Sequence, residues 1–281
     1  MVPVDWNHCT KNMSGTMAER KNIVARSYTF VRQEGIGKFL LRAKVYVWRF
    51  IITVYWVVKY DVDFKPGWRA AISTELPIFR DLLTNLRDDD VFYDIGADTG
   101  LFTCLVASKL GPEQVVAFEP GDGVTELERR LTEGDLQATV VEKAISQGDE
   151  NEYHAHEGRV GLLGNTEAPA FPSTNAREIL AEGDSPLPTV VKIDVFGAEG
   201  DVVRGLEEIL SRDECRLVYL ELHLPMTFQR KRPEQIFENY LDEWSLTEVV
   251  RILFQCGFEV EPIYLRSRTD DLFIRAYKPD H

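Results

Sequence analysis

Val91-Phe92-Tyr93-Asp94-Ile95-Gly96-Ala97-Asp98-Thr99-Gly100 takes the chain from an apolar run straight into a turn bracketed by glycines. After a helix-length stretch, Val115-Val116-Ala117-Phe118-Glu119-Pro120 is a second apolar run, this one closed by an acid. A buried strand, a Gly-x-x-x-Gly turn, a helix and a strand ending in Glu form the half of an open α/β sheet that holds a ribose-bearing ligand. Glycines at such a turn let the backbone come close to the ligand, and the acid accepts hydrogen bonds from ribose hydroxyls. The turn lacks the Gly-x-Gly-x-x-Gly spacing that cradles a pyrophosphate, so it reads as a site for a nucleoside without phosphates.

Outward from this unit the alternation continues. Strands are expected over 91–95, 115–118, 138–143, 190–195 and 217–222, with helices over 101–110, 125–132 and 199–210 between them. A helix over 246–256 leads into a terminal hairpin over 258–265 and 272–277. Repeated βα units predict an α/β fold with a mostly parallel sheet and helices on both faces. The hairpin adds an antiparallel strand at one edge. Ahead of the first strand, 67–86 reads as a helical lead-in and Asp88-Asp89-Asp90 as a surface turn. The stretch 146–188 breaks the rhythm, being polar and punctuated by Gly and Pro, and predicts short strands at most. So long an irregular insertion reads as a lid or acceptor-recognition element.

Charge divides the 281-residue chain in two. Residues 1–60 hold ten Lys and Arg against three acids, whereas 61–281 hold 22 against 43. The first part reads as a basic, amphipathic helical segment and the second as the main domain. Lys38, Arg42 and Arg49 fall within roughly 40° of one another on a helix turning about 100° per residue. The apolar run Phe50 to Val58 is too short to cross a bilayer, which takes about 20 residues. Residues 38–59 therefore pack on the domain or a second subunit, or else lie on a membrane surface. The acidic body argues against a nucleic-acid partner, whose phosphates draw clustered Lys and Arg. It also fits a salt-adapted source, where dense carboxylates stay hydrated and their repulsion is screened. Cys9, Cys104, Cys215 and Cys256 are scattered, without metal-ligand spacing, and point to a reducing cytoplasm. His154 and His156 are too few for a metal site, and none is expected.

Five blocks then occur in order: Asp94-Ile-Gly96-Ala97-Asp98-Thr99-Gly100, Ala117-Phe118-Glu119-Pro120, Glu142-Lys-Ala144-Ile145-Ser146, Val191-Lys192-Ile193-Asp194-Val195-Phe196-Gly197-Ala198-Glu199 and Tyr219-Leu220-Glu221-Leu222-His223. The set, over about residues 75–280, resembles the FkbM family of S-adenosylmethionine-dependent methyltransferases. The resemblance implies a Rossmann-like class I methyltransferase sheet, S-adenosylmethionine as cofactor, and a sugar, glycan or other small-molecule hydroxyl as acceptor. It places Asp94 at the cofactor's amino-acid end. Gly96, Ala97, Thr99 and Gly100 then form the close-approaching turn, Glu119 takes the ribose hydroxyls, and Ala144 and Ile145 flank the adenine.

At the acceptor end, Asp194, Glu221 and His223 are the candidates for a general base, since each follows a strand at the ligand-binding edge. Residues 221 and 223 share a strand face, so both can point into one cleft. Lys192, inside an apolar strand, is expected to pair with Asp194, Glu221 or another cleft carboxylate. Glu199 reads as a favourable charge at a helix start. The family usually has Glu where this chain has Phe196, and commonly Asn where it has Asp98; the first difference removes a carboxylate from the acceptor edge. Arg230-Lys231-Arg232 is a local basic cluster that reads by default as a solvated turn, with contact to an anionic acceptor as the alternative. Three rivals stand beside methyl transfer: a cofactor-binding member without catalysis, a nicotinamide oxidoreductase, and an interaction protein docked on the inner face of the membrane. The oxidoreductase is disfavoured by the missing pyrophosphate turn and the lack of a Tyr-x-x-x-Lys pair.

Overall fold

The computed structural model describes residues 69–147, 153–156, 159–162, 170–183, 185–195, 197–223, 246–266 and 271–279. The amphipathic segment 38–59, Phe196 and the cluster Arg230-Lys231-Arg232 lie outside the described residues. The backbone of His154 and His156 is described, without side chains. Helix α1 (Arg69–Asn85) precedes strand β1 (Phe92–Ile95), helix α2 (Leu101–Ala107) and strand β2 (Val115–Phe118). Helix α3 (Gly123–Gly134) and strand β3 (Thr139–Val141) complete this half.

The irregular insertion is more structured than its composition suggests. Strand β4 (Ala144–Ile145) precedes β5 (Tyr153–His156), β6 (Arg159–Leu162), β7 (Ala170–Phe171) and β8 (Ser173–Thr174). β6, β5 and β7 form a small sheet of their own, while β4 pairs with β8. Helix α4 (Ala176–Glu182) follows, where only short strands are expected from the sequence. Its signals are local. Asn175 accepts from the Glu178 N–H at 3.1 Å, and Gly183 closes the helix at φ +66°. Asn-x-x-Glu with a terminal glycine is a start and a stop about two turns apart, masked here by surrounding Pro and Gly.

The chain then returns to the main sheet with β9 (Val190–Ile193), helices α5 (Glu199–Gly205) and α6 (Glu207–Leu210), and strand β10 (Leu217–His223). The single helix expected over 199–210 is broken at Leu206. A Cβ on Gly205 would sit 2.2 Å from the Ser146 carbonyl oxygen, so a glycine is needed where the helix passes that segment. Helix α7 (Leu246–Gln255) and strands β11 (Glu259–Arg266) and β12 (Asp271–Tyr277) end the described fold.

The main sheet runs β11-β12-β10-β9-β1-β2-β3. β3, β2, β1, β9 and β10 are parallel, and β12 is antiparallel to both of its neighbours. One detail departs from the sequence reading: the antiparallel strand is not at the edge. β12 inserts between β10 and β11 and buries residues of both faces, Asp271 and Phe273 on one and Ile274 and Ala276 on the other. β11 carries Glu259, Glu261 and Pro262, with a register shift between Pro262 and Tyr264, which suits an exposed edge. Every residue of β1, β2, β9 and β10 is buried, as strands covered on both faces require. Among the described residues no helix is long and apolar enough to cross a membrane.

The triple aspartate ahead of β1 is also only partly a surface turn. Asp88 and Asp89 are exposed, whereas Asp90 is buried. Arg216 grips it in a bidentate pair, with Nε 3.1 Å from Oδ1 and a short contact from Nη2 to Oδ2. Thr189 donates to Asp90 Oδ1 at 2.6 Å and accepts from the Val91 N–H at 3.0 Å. This clamp ties β1, β9 and β10 together at the end away from the ligand-binding edge. Thr189→Val keeps the shape but removes both bonds and strands a backbone N–H, at a cost of about 2 kcal/mol. Thermal unfolding should show a drop of a few degrees, with cofactor affinity unchanged.

Candidate active site

The strand order reverses between β1 and β9, and ligands of open α/β sheets bind beside the carboxyl ends of strands at such a point. Three features meet there: the turn after β1, the acid after β2, and the ends of β9 and β10. Asp94 and Lys192 are cross-strand partners on β1 and β9. The Lys192 ammonium lies 3.0 Å from Asp94 Oδ1 and 3.6 Å from Asp194 Oδ2, and donates to the Gly96 carbonyl at 3.1 Å. Burial works against its charge, but Asp94 and Asp194 hold its pKa above the ordinary lysine value. Thr103 donates to Asp94 Oδ2 at 2.6 Å. Asp94 is fully buried, so it reaches the crevice through Lys192 and the turn rather than through an open carboxylate.

The glycines of the turn answer to the protein's own packing. Gly96 has φ +73°, and a Cβ there would lie 2.1 Å from the Asp194 carbonyl oxygen. Gly100 has φ +83°, and its Cβ would meet Leu127 at 2.3 Å. The N–H groups of Gly96 and Ala97 both donate to the Phe118 carbonyl, so Ala97 offers the crevice no amide. Thr99 is half-buried beside exposed Asp98. The Asp98 and Gly121 N–H groups donate to Glu119 Oε2 and Oε1, each at 2.8 Å. Burial pushes the Glu119 carboxyl above its usual range, with these two amides pulling the other way. Each carboxylate oxygen has two lone pairs, so Glu119 is held in place and keeps acceptor capacity for a diol.

The two residues assigned to the adenine part company. Ile145 packs into the main core, whereas Ala144 sits with Ala198 in a separate small cluster beside Phe171 and Val195. Successive strand residues face opposite ways, so the two side chains lie on different sides of β4.

Asp194, Glu221 and His223 do converge. His223 Nε2 lies 4.0 Å from Asp194 Oδ1 and 3.9 Å from Glu221 Oε1, and the three donor atoms lie within 4.8 Å of one another. A triangle of that size puts a central oxygen within hydrogen-bond distance of all three corners. These donor types also occur around divalent cations. Ligands at right angles on a Mg²⁺ ion, with bonds of about 2.1 Å, stand only about 3 Å apart, so this spacing does not suit that ion.

Behind the trio is a residue that the sequence presents only as a helix-start charge. Glu199 Oε1 lies 2.5 Å from His223 Nδ1, and both side chains are buried. Burial disfavours the charged imidazole, but Glu199, followed by Asp194 and Asp271, raises the His223 pKa above its ordinary value. Burial likewise raises the pKa of Glu199, with His223 opposing. No local signal announces this pair, because its members are 24 residues apart on different elements.

Residues 94–260 match the Methyltransferase FkbM domain. The chain belongs to the FkbM methyltransferase family. It is 30% identical over 168 residues to the hexuronic acid methyltransferase AglP of Haloferax volcanii, a match covering 56% of this chain and 66% of that protein, just short of two thirds of its length. Among solved structures, an FkbM methyltransferase from Methylobacillus flagellatus superposes with a TM-score of 0.43 at 16% identity, covering 69% of this chain and 45% of that one. The magnesium protoporphyrin IX methyltransferase of Synechocystis, solved with bound SAH, gives 0.46 at 13% identity, covering 77% and 88%. In this FkbM methyltransferase the blocks quoted from the sequence all reach the same sheet edge. Asp94, Gly96, Ala97, Thr99, Gly100 and Glu119 gather on one side of the switch point, and Asp194, Glu221 and His223 on the other.

Proposed function

We propose that this methyltransferase uses S-adenosylmethionine to methylate a hydroxyl oxygen of a sugar, with uronic acid units as the first acceptor class to test. The observation that carries the reading is the triangle of Asp194, Glu221 and His223 Nε2 beside the Lys192–Asp94 pair. A hydroxyl at its centre has a nitrogen to take its proton and two carboxylates to orient it. On the cofactor side the residues fit a ribose-bearing group. Glu119 is pinned by two amides with acceptor capacity left, and the turn beside it is closed by glycines at positive φ.

S-adenosylmethionine supplies a methyl on a sulfonium: as the acceptor oxygen bonds to the methyl carbon, the carbon–sulfur bond breaks and its electron pair stays on sulfur. The protein aligns the two partners and His223 Nε2 takes the hydroxyl proton. Alignment is the larger contribution in such a displacement. The uronic acid assignment is supported by the similarity to the hexuronic acid methyltransferase and by Arg230-Lys231-Arg232 soon after His223 in the sequence. The intact Asp194, Glu199, Glu221 and His223 set favours a working enzyme over a member that only holds its cofactor, despite Phe196.

The test is transfer of labelled methyl from S-adenosylmethionine to a panel of uronic-acid and neutral saccharides, with calorimetry of both sulfur nucleosides. Binding of both nucleosides with methyl ether formed on a uronic acid is expected. No heat with either nucleoside would overturn the reading. Glu119→Ala should weaken S-adenosylmethionine about a hundredfold, the loss of two charge-assisted hydrogen bonds less partial compensation by water.

A further inference from the structure

We propose that Glu199 is a positioning residue that fixes the tautomer of His223, keeping a proton on Nδ1 and turning Nε2 toward the acceptor. The inference rests on the methyl-transfer reading above. Glu199 Oε1 is 2.5 Å from Nδ1 and also accepts from the Gly197 N–H at 3.1 Å, which stops the carboxylate from swinging away. Its Oε2 is buried with no hydrogen-bond partner among the described residues, and His223, with the backbone N–H groups of Glu199 and Gly197, offsets its burial. With Glu199 ionised, the state that His223 and the Gly197 amide favour, the carboxylate can only accept and Nδ1 carries the hydrogen. The lone pair of the neutral ring is then on Nε2, the atom that faces Asp194 and Glu221.

The same arrangement sets a pH dependence. Among the described residues, the groups facing His223 include Glu199 from α5, Asp194 after β9, Glu221 on its own strand and Asp271 across the ladder on β12. Lys192, at the end of neighbouring β9, is directed to Asp94 and Asp194. With four carboxylates around it, His223 holds its proton above the usual histidine range. Activity should therefore rise with pH through an inflection above that range, as Nε2 becomes free to accept. Glu199→Gln removes the charge in direct contact while keeping the shape. Its inflection should move to lower pH by about one unit or more, and its plateau kcat should fall about tenfold to a hundredfold, with acceptor KM within about twofold. A merely structural role would lower the plateau without moving the inflection.

The decisive measurement needs no turnover. Histidine nitrogen and proton NMR of the full chain, with the His223 signals assigned by their loss in His223→Gln, reads tautomer and titration directly. The neutral ring should carry its hydrogen on Nδ1 in the unmodified protein, and its titration should shift to lower pH in Glu199→Gln. A neutral ring protonated on Nε2 would overturn the proposal even if Glu199→Gln failed to fold, and so would an unshifted titration in a folded Glu199→Gln. Because these signals do not depend on methyl transfer, a protein that showed the expected tautomer but methylated no sugar would count against the proposed function alone.

Discussion

Replacing Lys192 by Met is expected to cost this protein about 3–5 kcal/mol of stability, the penalty of leaving a buried charge without its partner. Asp94 is fully buried in β1, and Lys192 is the cation in contact with it, at 3.0 Å. A methionine fills the same space and removes only the charge and its hydrogen bonds, so the loss is electrostatic rather than a cavity. The same change unties the turn, because the ammonium also donates to the Gly96 carbonyl and lies 3.6 Å from Asp194. Cofactor affinity and acceptor alignment should therefore fail together. Denaturant unfolding of Lys192→Met beside the double variant Asp94→Asn, Lys192→Met is the check. Neutralising both members should recover much of the lost stability, since an apolar or neutral pair in place of a buried ion pair is often tolerated. Equal instability of the single and double variants would show that the cost lies in packing instead.

His223→Ala should reduce methyl transfer by about 10²- to 10⁴-fold, the usual worth of a positioned general base. S-adenosylmethionine should still bind, because Glu119 and the turn after β1 do not depend on the imidazole. The histidine is at the carboxyl end of β10, buried among Glu199, Asp194 and Glu221. Truncating it leaves Glu199 buried without its cationic neighbour, so some stability is lost as well. Calorimetry with the cofactor separates the two effects: unchanged affinity with lost kcat places His223 in the chemical step. A kcat within about threefold of the unmodified protein would remove it from that step.

The cofactor half of the site was the easier half to read. Val91 to Gly100 and Val115 to Pro120 announce their strands by continuous apolar runs, and their turn by glycines that the structure places at φ +73° and +83°. Glu119 is legible for the same reason, since a strand that ends in an acid puts it at the sheet's edge. Side-chain surroundings are not legible from position along the chain. Ala144 and Ile145 are consecutive and so face opposite ways, and the glycines are required first by Asp194 and Leu127. The buried Asp90 looked like one more surface acid because its partner, Arg216, is 126 residues away in the chain.

Local periodicity, strand-end acids and ordered motif blocks were enough by themselves to determine the parallel sheet and the family, because each is written in residues that are neighbours in sequence. Only the tertiary structure decided that β12 lies inside the sheet rather than at its edge, that Lys192 bridges Asp94 and Asp194, and that Glu199 stands behind His223. Those outcomes depend on which distant segments share a buried space. There the cost of an unpaired charge selects partners that no spacing along the chain can show.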